Sequence, residues 1–283
     1  LLTGEGHLHI FRTEAGRIAE LPAWKRRSEH GIESFALNRD QIVQHEPALG
    51  PLAQSGYFVP GWATYRDPKE IVVTLADHLR RAGVAFVEAE VADIETADGG
   101  ARALRCVDGR RIEVETLVVC CGAWSGRISR RLGEPFPIEA DRGYNTTLPN
   151  PGVELRMMIT FAEDSFVATP MSIGLRIGGA VEMGGLTAPP NYQRSKALLT
   201  LARRYMPDID ATGGTEWMGH RPSTPDSVPV ISRSNAAGNV FYGFGHGHLG
   251  LTMSVTTGRL IADMIAGDEP GIDMTPYRID RYR

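Results

Sequence analysis

The sequence predicts a mixed α/β (α+β) fold, in which a partial doubly wound domain is interleaved with an antiparallel-sheet domain. Three observations carry this reading. The apolar strand Asn239-Val-Phe-Tyr242 leads through a glycine-rich turn into a helix, Leu251 to Ala266, stopped by Gly267 and Pro270. Leu117-Val-Val-Cys-Cys121 is an unbroken apolar run, the pattern of a central strand covered on both faces. From Phe136 to Leu186 short alternating runs replace helix patterns, as in one antiparallel sheet.

Bulk properties narrow the class. A chain of 283 residues holds one large domain or two modest ones. A net charge of −4, with no run of five or more basic residues, argues against a nucleic-acid surface. No apolar stretch approaches the roughly 18 residues that span a bilayer. Three cysteines in such a length point to a reducing, cytoplasmic compartment. Cys120 and Cys121 lack C-x-x-C spacing and read as packing thiols of a buried strand. The first residue is Leu1 and no signal peptide is visible, so the chain was processed or lacks an upstream portion.

In chain order, His7-Leu-His-Ile-Phe11 reads as a strand, with His7 and His9 on the face opposite Leu8 and Ile10. With no third ligand nearby, a solvent-facing pair outweighs a metal pair. Ala15 to Gly31 is weakly helical and strongly charged, a solvated helix face. Asn38-Arg-Asp40 starts a short helix with Ile42 and Val43 inward, ending at Pro47. Gly50-Pro51 and Gly56 then lead into Tyr57-Phe-Val-Pro60. Asp67-Pro68-Lys-Glu70 supplies an N-cap, a proline at N1 and a glutamate at N3. Ile71, Val72, Leu75, Ala76 and Leu79 form that helix's apolar stripe, and Gly83 ends it. Val84-Ala-Phe-Val87 and residues 91–94 are strand material, and Asp98-Gly-Gly100 and Asp108-Gly109 are hairpin turns. After Cys121, Gly122-Ala-Trp-Ser125 lets backbone approach a ligand at the sheet edge, or is an ordinary tight connection. Residues 191–205 form a helix with Ala197, Leu198 and Leu201 inward, and Trp217 to Ile231 returns to extended and turn chemistry.

Gly245-x-Gly247-x-x-Gly250 matches the dinucleotide fingerprint by letter. That motif needs a second strand after the helix, ending in an acidic residue about 20 positions on. Gly267-Asp-Glu-Pro270 and a short polar tail stand there instead, so the motif fails on context. A helix N-terminus here suits negative charge that develops during a reaction.

Gly219-His-Arg-Pro-Ser-Thr-Pro-Asp226, followed by residues 239–253, resembles the C-terminal signature of the FAD-dependent D-amino-acid oxidase superfamily. Gly258-Arg-Leu-Ile-Ala262, Ile272-Asp273 and Arg281-Tyr282 fit the same pattern. Val118-Val-Cys-Cys-Gly-Ala-Trp-Ser125 resembles its second flavin-contacting strand and turn. Asp141-Arg-Gly-Tyr144 and Thr147-Leu-Pro149 point to the bacterial D-amino-acid dehydrogenase branch. The resemblance implies that residues 63–134, with a β-meander, and 218–283 belong to the FAD domain. Residues 1–62 and 135–217 are then the substrate domain. Nothing between Leu1 and Gly61 matches the family's pyrophosphate-binding strand, turn and helix. The chain is therefore expected to be truncated by on the order of 100 residues, to bind FAD weakly, and to be inactive as it stands.

The implied reaction is oxidative deamination of a small-molecule D-amino acid, D-proline and hydroxy-D-proline being candidates. A hydride passes from Cα to flavin N5 without a protein base, and a quinone or oxygen is the electron acceptor. A glycine- or sarcosine-type oxidase and an inactive fragment are the alternatives. Arg221 is implied to fork onto the substrate carboxylate, a surface arginine being the plainer reading. His248 touches substrate or the flavin edge, while His246 with His248 makes poor zinc geometry, so no metal is expected. Tyr144, Trp124 and Trp217 are candidate pocket walls, Tyr144 also a catalytic candidate, although aromatics are core residues more often. The implied cofactor contacts are Val91, equally well a buried strand valine, and the turn Gly122, Ala123 and Trp124. Gly245, Gly247, His248, Leu249, Gly250, Leu251 and Thr252 complete them. No nucleic-acid partner is implied, and peripheral association with the inner face of a membrane stays open.

Overall fold

The structure is a computed structural model that describes residues 2–282. Its elements follow from local rules. After β1 (Leu2–Thr3) and β2 (His7–Phe11), helix α1 (Glu14–Glu29) starts where the Thr13 hydroxyl accepts the Gly16 N–H. β3 (Phe35–Asn38) enters α2 (Arg39–His45) through a capping box between Asn38 and Gln41. β4 (Ser55–Val59) and β5 (Thr64–Tyr65) precede α3 (Pro68–Arg81), capped by Asp67 as its sequence requires. β6 (Val91–Ala97), β7 (Gly100–Cys106) and β8 (Arg111–Glu113) form a meander. β9 (Leu117–Val119) leads through a 3-10 turn at residues 122–124 into α4 (Ser125–Arg131). Four strands follow: β10 (Glu139–Leu148), β11 (Met158–Phe161), β12 (Phe166–Met171) and β13 (Gly174–Met183). Then come α5 (Gln193–Tyr205), β14 (Thr215–Ser223), β15 (Val230–Arg233), β16 (Val240–Phe244) and α6 (Gly250–Ala266).

The chain divides into two compact units. The first comprises Leu1–Gly83, Gly143–Val181 and Pro189–Gly219; the second comprises Val84–Arg142, Glu182–Ala188 and His220–Arg283. The first division therefore falls after Gly83, where the sequence reading placed it at residue 62, and α3 goes with the first unit.

The first unit rests on an eight-stranded sheet of order β14-β10-β13-β12-β11-β2-β4-β3. The β11–β12–β13 run is antiparallel as expected, but β11 pairs with β2 in parallel, so the sheet is mixed. Period-2 alternation sends Leu8, Ile10, Ile159, Phe161, Ala168 and Ile177 into one core, which Ile42 of α2 and Leu198, Ala202 and Tyr205 of α5 complete. Phe161 and Phe166, directly opposite in register, stack with ring centroids 4.3 Å apart. Ala197 faces solvent instead of this core.

His7 and His9 correct the sequence reading. They occupy the face opposite Leu8, as alternation requires, but both are buried. His9 lies 5.2 Å from the Trp24 ring and His7 4.9 Å from that of Trp62. Burial, followed by nearby positive charge, lowers both pKa values to about 4.

The second unit holds the β6-β7-β8 meander and a three-stranded sheet of order β15-β16-β9. Its core includes Ile94, Ala101, Val119, Phe136, Val240, Tyr242 and Phe244. Three expectations fail here and in α3 for one reason: burial needs a covering partner. β9 pairs in parallel with β16 alone among the described residues, so the run expected at the sheet centre is an edge strand and Cys120 and Cys121 are exposed. Val84-Ala-Phe-Val87 joins no sheet. The stripe of α3 is exposed at Val72, Leu75 and Leu79, although the helix itself is well capped.

Glu46 provides a test of the first unit. Its carboxylate is fully buried, and Oε1 accepts the N–H groups of Arg156 and Met157 at 2.9 Å each. Burial outweighs these bonds and raises its pKa to about 7. The folded state thus holds a proton that the unfolded state releases near pH 4.5. Stability from this group is complete below pH 4.5 and falls by roughly 3 kcal/mol as pH rises through 7. His7 and His9 act oppositely, losing stability as pH falls from 6.5 towards 4. Urea titrations should show that Glu46→Gln removes the Glu46 slope between pH 4.5 and 7; parallel wild-type and variant curves would refute it.

Candidate functional site

Three pieces of backbone in the second unit assemble the site. The first is the turn from Phe244 into α6. Gly245 (φ +84°) and Gly247 (φ +53°) hold left-handed backbone, which costs other residues about 1–2 kcal/mol. A Cβ on Gly245 would also lie 2.7 Å from Thr224 Cγ2. Gly247 N–H donates to Pro222 O at 2.9 Å, and His246 Nε2 sits 2.9 Å from Thr257 Oγ1. α6 then begins with no side-chain cap at Leu249 and no acidic residue in its first turn. Its leading N–H groups, those of Gly250, Leu251 and Thr252, are ones a helix cannot satisfy internally, so they suit an outside acceptor.

The second piece is the end of β14. Arg221 Nη1 lies 3.3 Å from Asp141 Oδ1, with side chains 24% and 7% exposed. Partial burial makes that attraction stronger than at an open surface. The pKa of His248 is lowered by burial first and by the Arg221 charge second, with Asp141 opposing. His248 is therefore neutral at pH 7 while keeping an exposed edge. The structure thus groups Arg221 and His248, as the motif implied, and adds Asp141. Asp141 stands in the segment Asp141-Arg-Gly-Tyr144, inside β10, with nothing local to mark Arg221 as its partner.

The third piece is the turn after β9. Gly122 has φ +54° and Ala123 packs inward, while Trp124 stays exposed and meets the His220 ring edge-on at 5.2 Å. Val91, Cys121, Trp124, Arg127 and Arg131 border a cavity of about 540 Å³. Val91 and Trp124 are brought together from 33 positions apart in sequence. The two arginines escaped the sequence reading, although their i, i+4 spacing puts them on one face of α4.

Tyr144 and Trp217 belong to the first unit. Tyr144 is buried, and its hydroxyl accepts the Asn191 N–H at 3.0 Å. Trp217 is largely exposed.

The model of the DAO family, FAD dependent oxidoreductase, matches residues 2–264. The chain belongs to the DAO family. A D-amino-acid oxidase of Bradyrhizobium diazoefficiens is 33% identical over 286 residues, covering 100% of this chain and 68% of that protein. A D-amino acid dehydrogenase of Sinorhizobium medicae is 32% identical over 285 residues, covering 98% and 68%. The fold matches that of glycine oxidase from Geobacillus kaustophilus with a TM-score of 0.88 at 22% identity, over 98% of this chain and 75% of that one.

A DAO-family oxidoreductase takes FAD, and the second unit has features that suit it. The uncapped α6 N-terminus suits an electron-rich ring edge, and the cavity at Val91 and Trp124 joins apolar walls to two guanidinium groups, as a nucleotide requires. The turn can be tested directly. Gly245→Ala should lower flavin retained per chain about tenfold or more, read as absorbance after gel filtration, because strain and the Thr224 clash displace the α6 start. Gly258→Ala, on the same helix with open space around its Cβ position, should leave retention unchanged and add about 0.4–1 kcal/mol of stability. Equal retention in the two variants would remove the turn from the cofactor site.

Proposed function

We propose that this oxidoreductase acts on D-amino acids, which Arg221 holds by the α-carboxylate. The observation that carries this is the grouping of Arg221, Asp141 and neutral His248 next to the open start of α6. The names of the two relatives, an oxidase and a dehydrogenase of D-amino acids, support the substrate class.

Each residue has a task. The planar guanidinium of Arg221 offers paired N–H donors matching a carboxylate, and Asp141 at Nη1 steadies its plane. His248, its pKa lowered by burial and the Arg221 charge, offers a ring-nitrogen lone pair that accepts a hydrogen bond from the substrate ammonium. FAD, when bound, supplies the two-electron acceptor for the Cα hydrogen. The first turn of α6 would present its N–H groups to the electron-rich edge of the bound cofactor. Val91, Trp124, Arg127 and Arg131 would hold the nucleotide end.

The acceptor that reoxidises the enzyme is either a quinone, which calls for contact with a membrane surface, or oxygen. No helix among the described residues is long and apolar enough to cross a membrane. FAD-loaded protein should be assayed against paired D- and L-amino acids, cyclic ones included, with a dye acceptor and separately by oxygen uptake. Turnover of D-enantiomers alone is expected. Equal turnover of both enantiomers, or of neither, would refute the reading.

Arg221→Ala should raise KM about 30-fold or more, since losing the charged partner of the substrate carboxylate costs roughly 2–5 kcal/mol. Arg221→Lys should recover part of that loss, because a point charge replaces the fork. Unchanged KM and kcat in both would refute the anchor.

A further inference from the structure

The first unit contains a cavity of about 660 Å³ that none of the residues of the second unit's site lines. Arg176 lines it, half-buried on the sheet face opposite the Leu175 and Ile177 core. Its Nε donates to Thr147 Oγ1 at 3.1 Å, which fixes the plane of the guanidinium. No hydrogen bond from its two Nη groups to another described residue is present. Burial lowers the Arg176 pKa while the charge of Asp67 opposes the shift, so the group pays a desolvation penalty without a bonded carboxylate.

The other lining residues define what would fit. Lys69 adds a second positive charge, and Asp67 supplies one negative charge. That carboxylate is already engaged as the α3 cap, where Oδ1 accepts the Lys69 N–H at 2.9 Å. The local balance is one net positive charge. Trp217 and Ile173, 59% and 50% exposed, offer apolar surface in the same cavity. A ligand bearing a single carboxylate on an apolar body meets all three features: a planar fork, a net positive field and greasy walls.

We propose that this cavity is a binding site for a small organic carboxylate, with Arg176 as its anchor and Trp217 and Ile173 as the wall for the ligand's apolar part. It is separate from the role given to Arg221 and stands whether or not that role is correct.

Calorimetric titration of the FAD-loaded chain with phenylacetate tests this, with neutral phenylacetamide as the comparison ligand. Arg221→Met should be titrated first, because it removes the other arginine offered to carboxylates. In that background phenylacetate should bind saturably and phenylacetamide at least tenfold more weakly. Adding Arg176→Met should weaken phenylacetate at least tenfold, and adding Arg176→Lys should weaken it less. Trp217→Ala, an exposed position whose loss leaves the core untouched, should weaken it severalfold if Arg176→Met does not fold. Absence of saturable binding in Arg221→Met overturns the proposal, as does equal affinity for the amide. Unchanged affinity in the foldable variants overturns it as well.

Discussion

Gly245 and Gly247 carry the chain from β16 into α6 through left-handed backbone, and the rest of the second unit's site depends on where that turn puts the helix. The bond from Gly247 N–H to Pro222 O ties the turn to the residue after Arg221. Moving the turn would therefore move the helix mouth and the candidate anchor together. His248 belongs to the same few residues, and its lowered pKa reflects both partial burial and the Arg221 charge. One backbone constraint thus links a dipole, a guanidinium and a neutral imidazole.

Polar staples keep the surrounding strands in place. Buried Glu134 accepts hydrogen bonds from the hydroxyls of Ser234 and Tyr242 and from the Asn235 N–H. The Asn239 side chain accepts the Ala101 N–H and donates to the Ala101 and Glu115 carbonyls, joining the start of β16 to the meander. Arg281 forks onto Asp226 through Nε at 2.8 Å and Nη2 at 3.0 Å, fastening the tail to the turn after β14. Removing the centre of any of these networks would leave its partners without a hydrogen bond, at about 1–3 kcal/mol for each one that is buried. The first unit relies more on apolar layers, with Glu46 as its principal buried carboxylate.

What could be read from the sequence was chemistry set within a few residues. Asp67 with Pro68, Asn38 with Gln41, and Gly267 at the end of α6 mark helix limits because caps are local hydrogen bonds and local φ preferences. Strand alternation placed Leu8 and Ile10 on one face and His7 and His9 on the other for a similar reason. The glycine turn and Arg221 were legible because their spacing carries a motif. Asp141 and the pair Arg127 and Arg131 were not, since their partners lie far along the chain: Arg221 is 80 positions from Asp141, and Val91 sits across a meander from Trp124.

The sequence by itself determined the helices, the alternating faces, the mixed α/β class and the motifs that mark the DAO family. Those features follow from backbone sterics, capping and period, which act over a few residues. Only the tertiary structure decided which apolar faces find cover. It buried His7 and His9 beneath aromatic rings, left β9 at a sheet edge, and left the α3 stripe exposed. It also decided the character of the turn at residues 243–252. By letter that segment is a dinucleotide fingerprint. In three dimensions it is the uncapped mouth of α6 next to a paired arginine, because burial and charge pairing depend on which distant residues share a place.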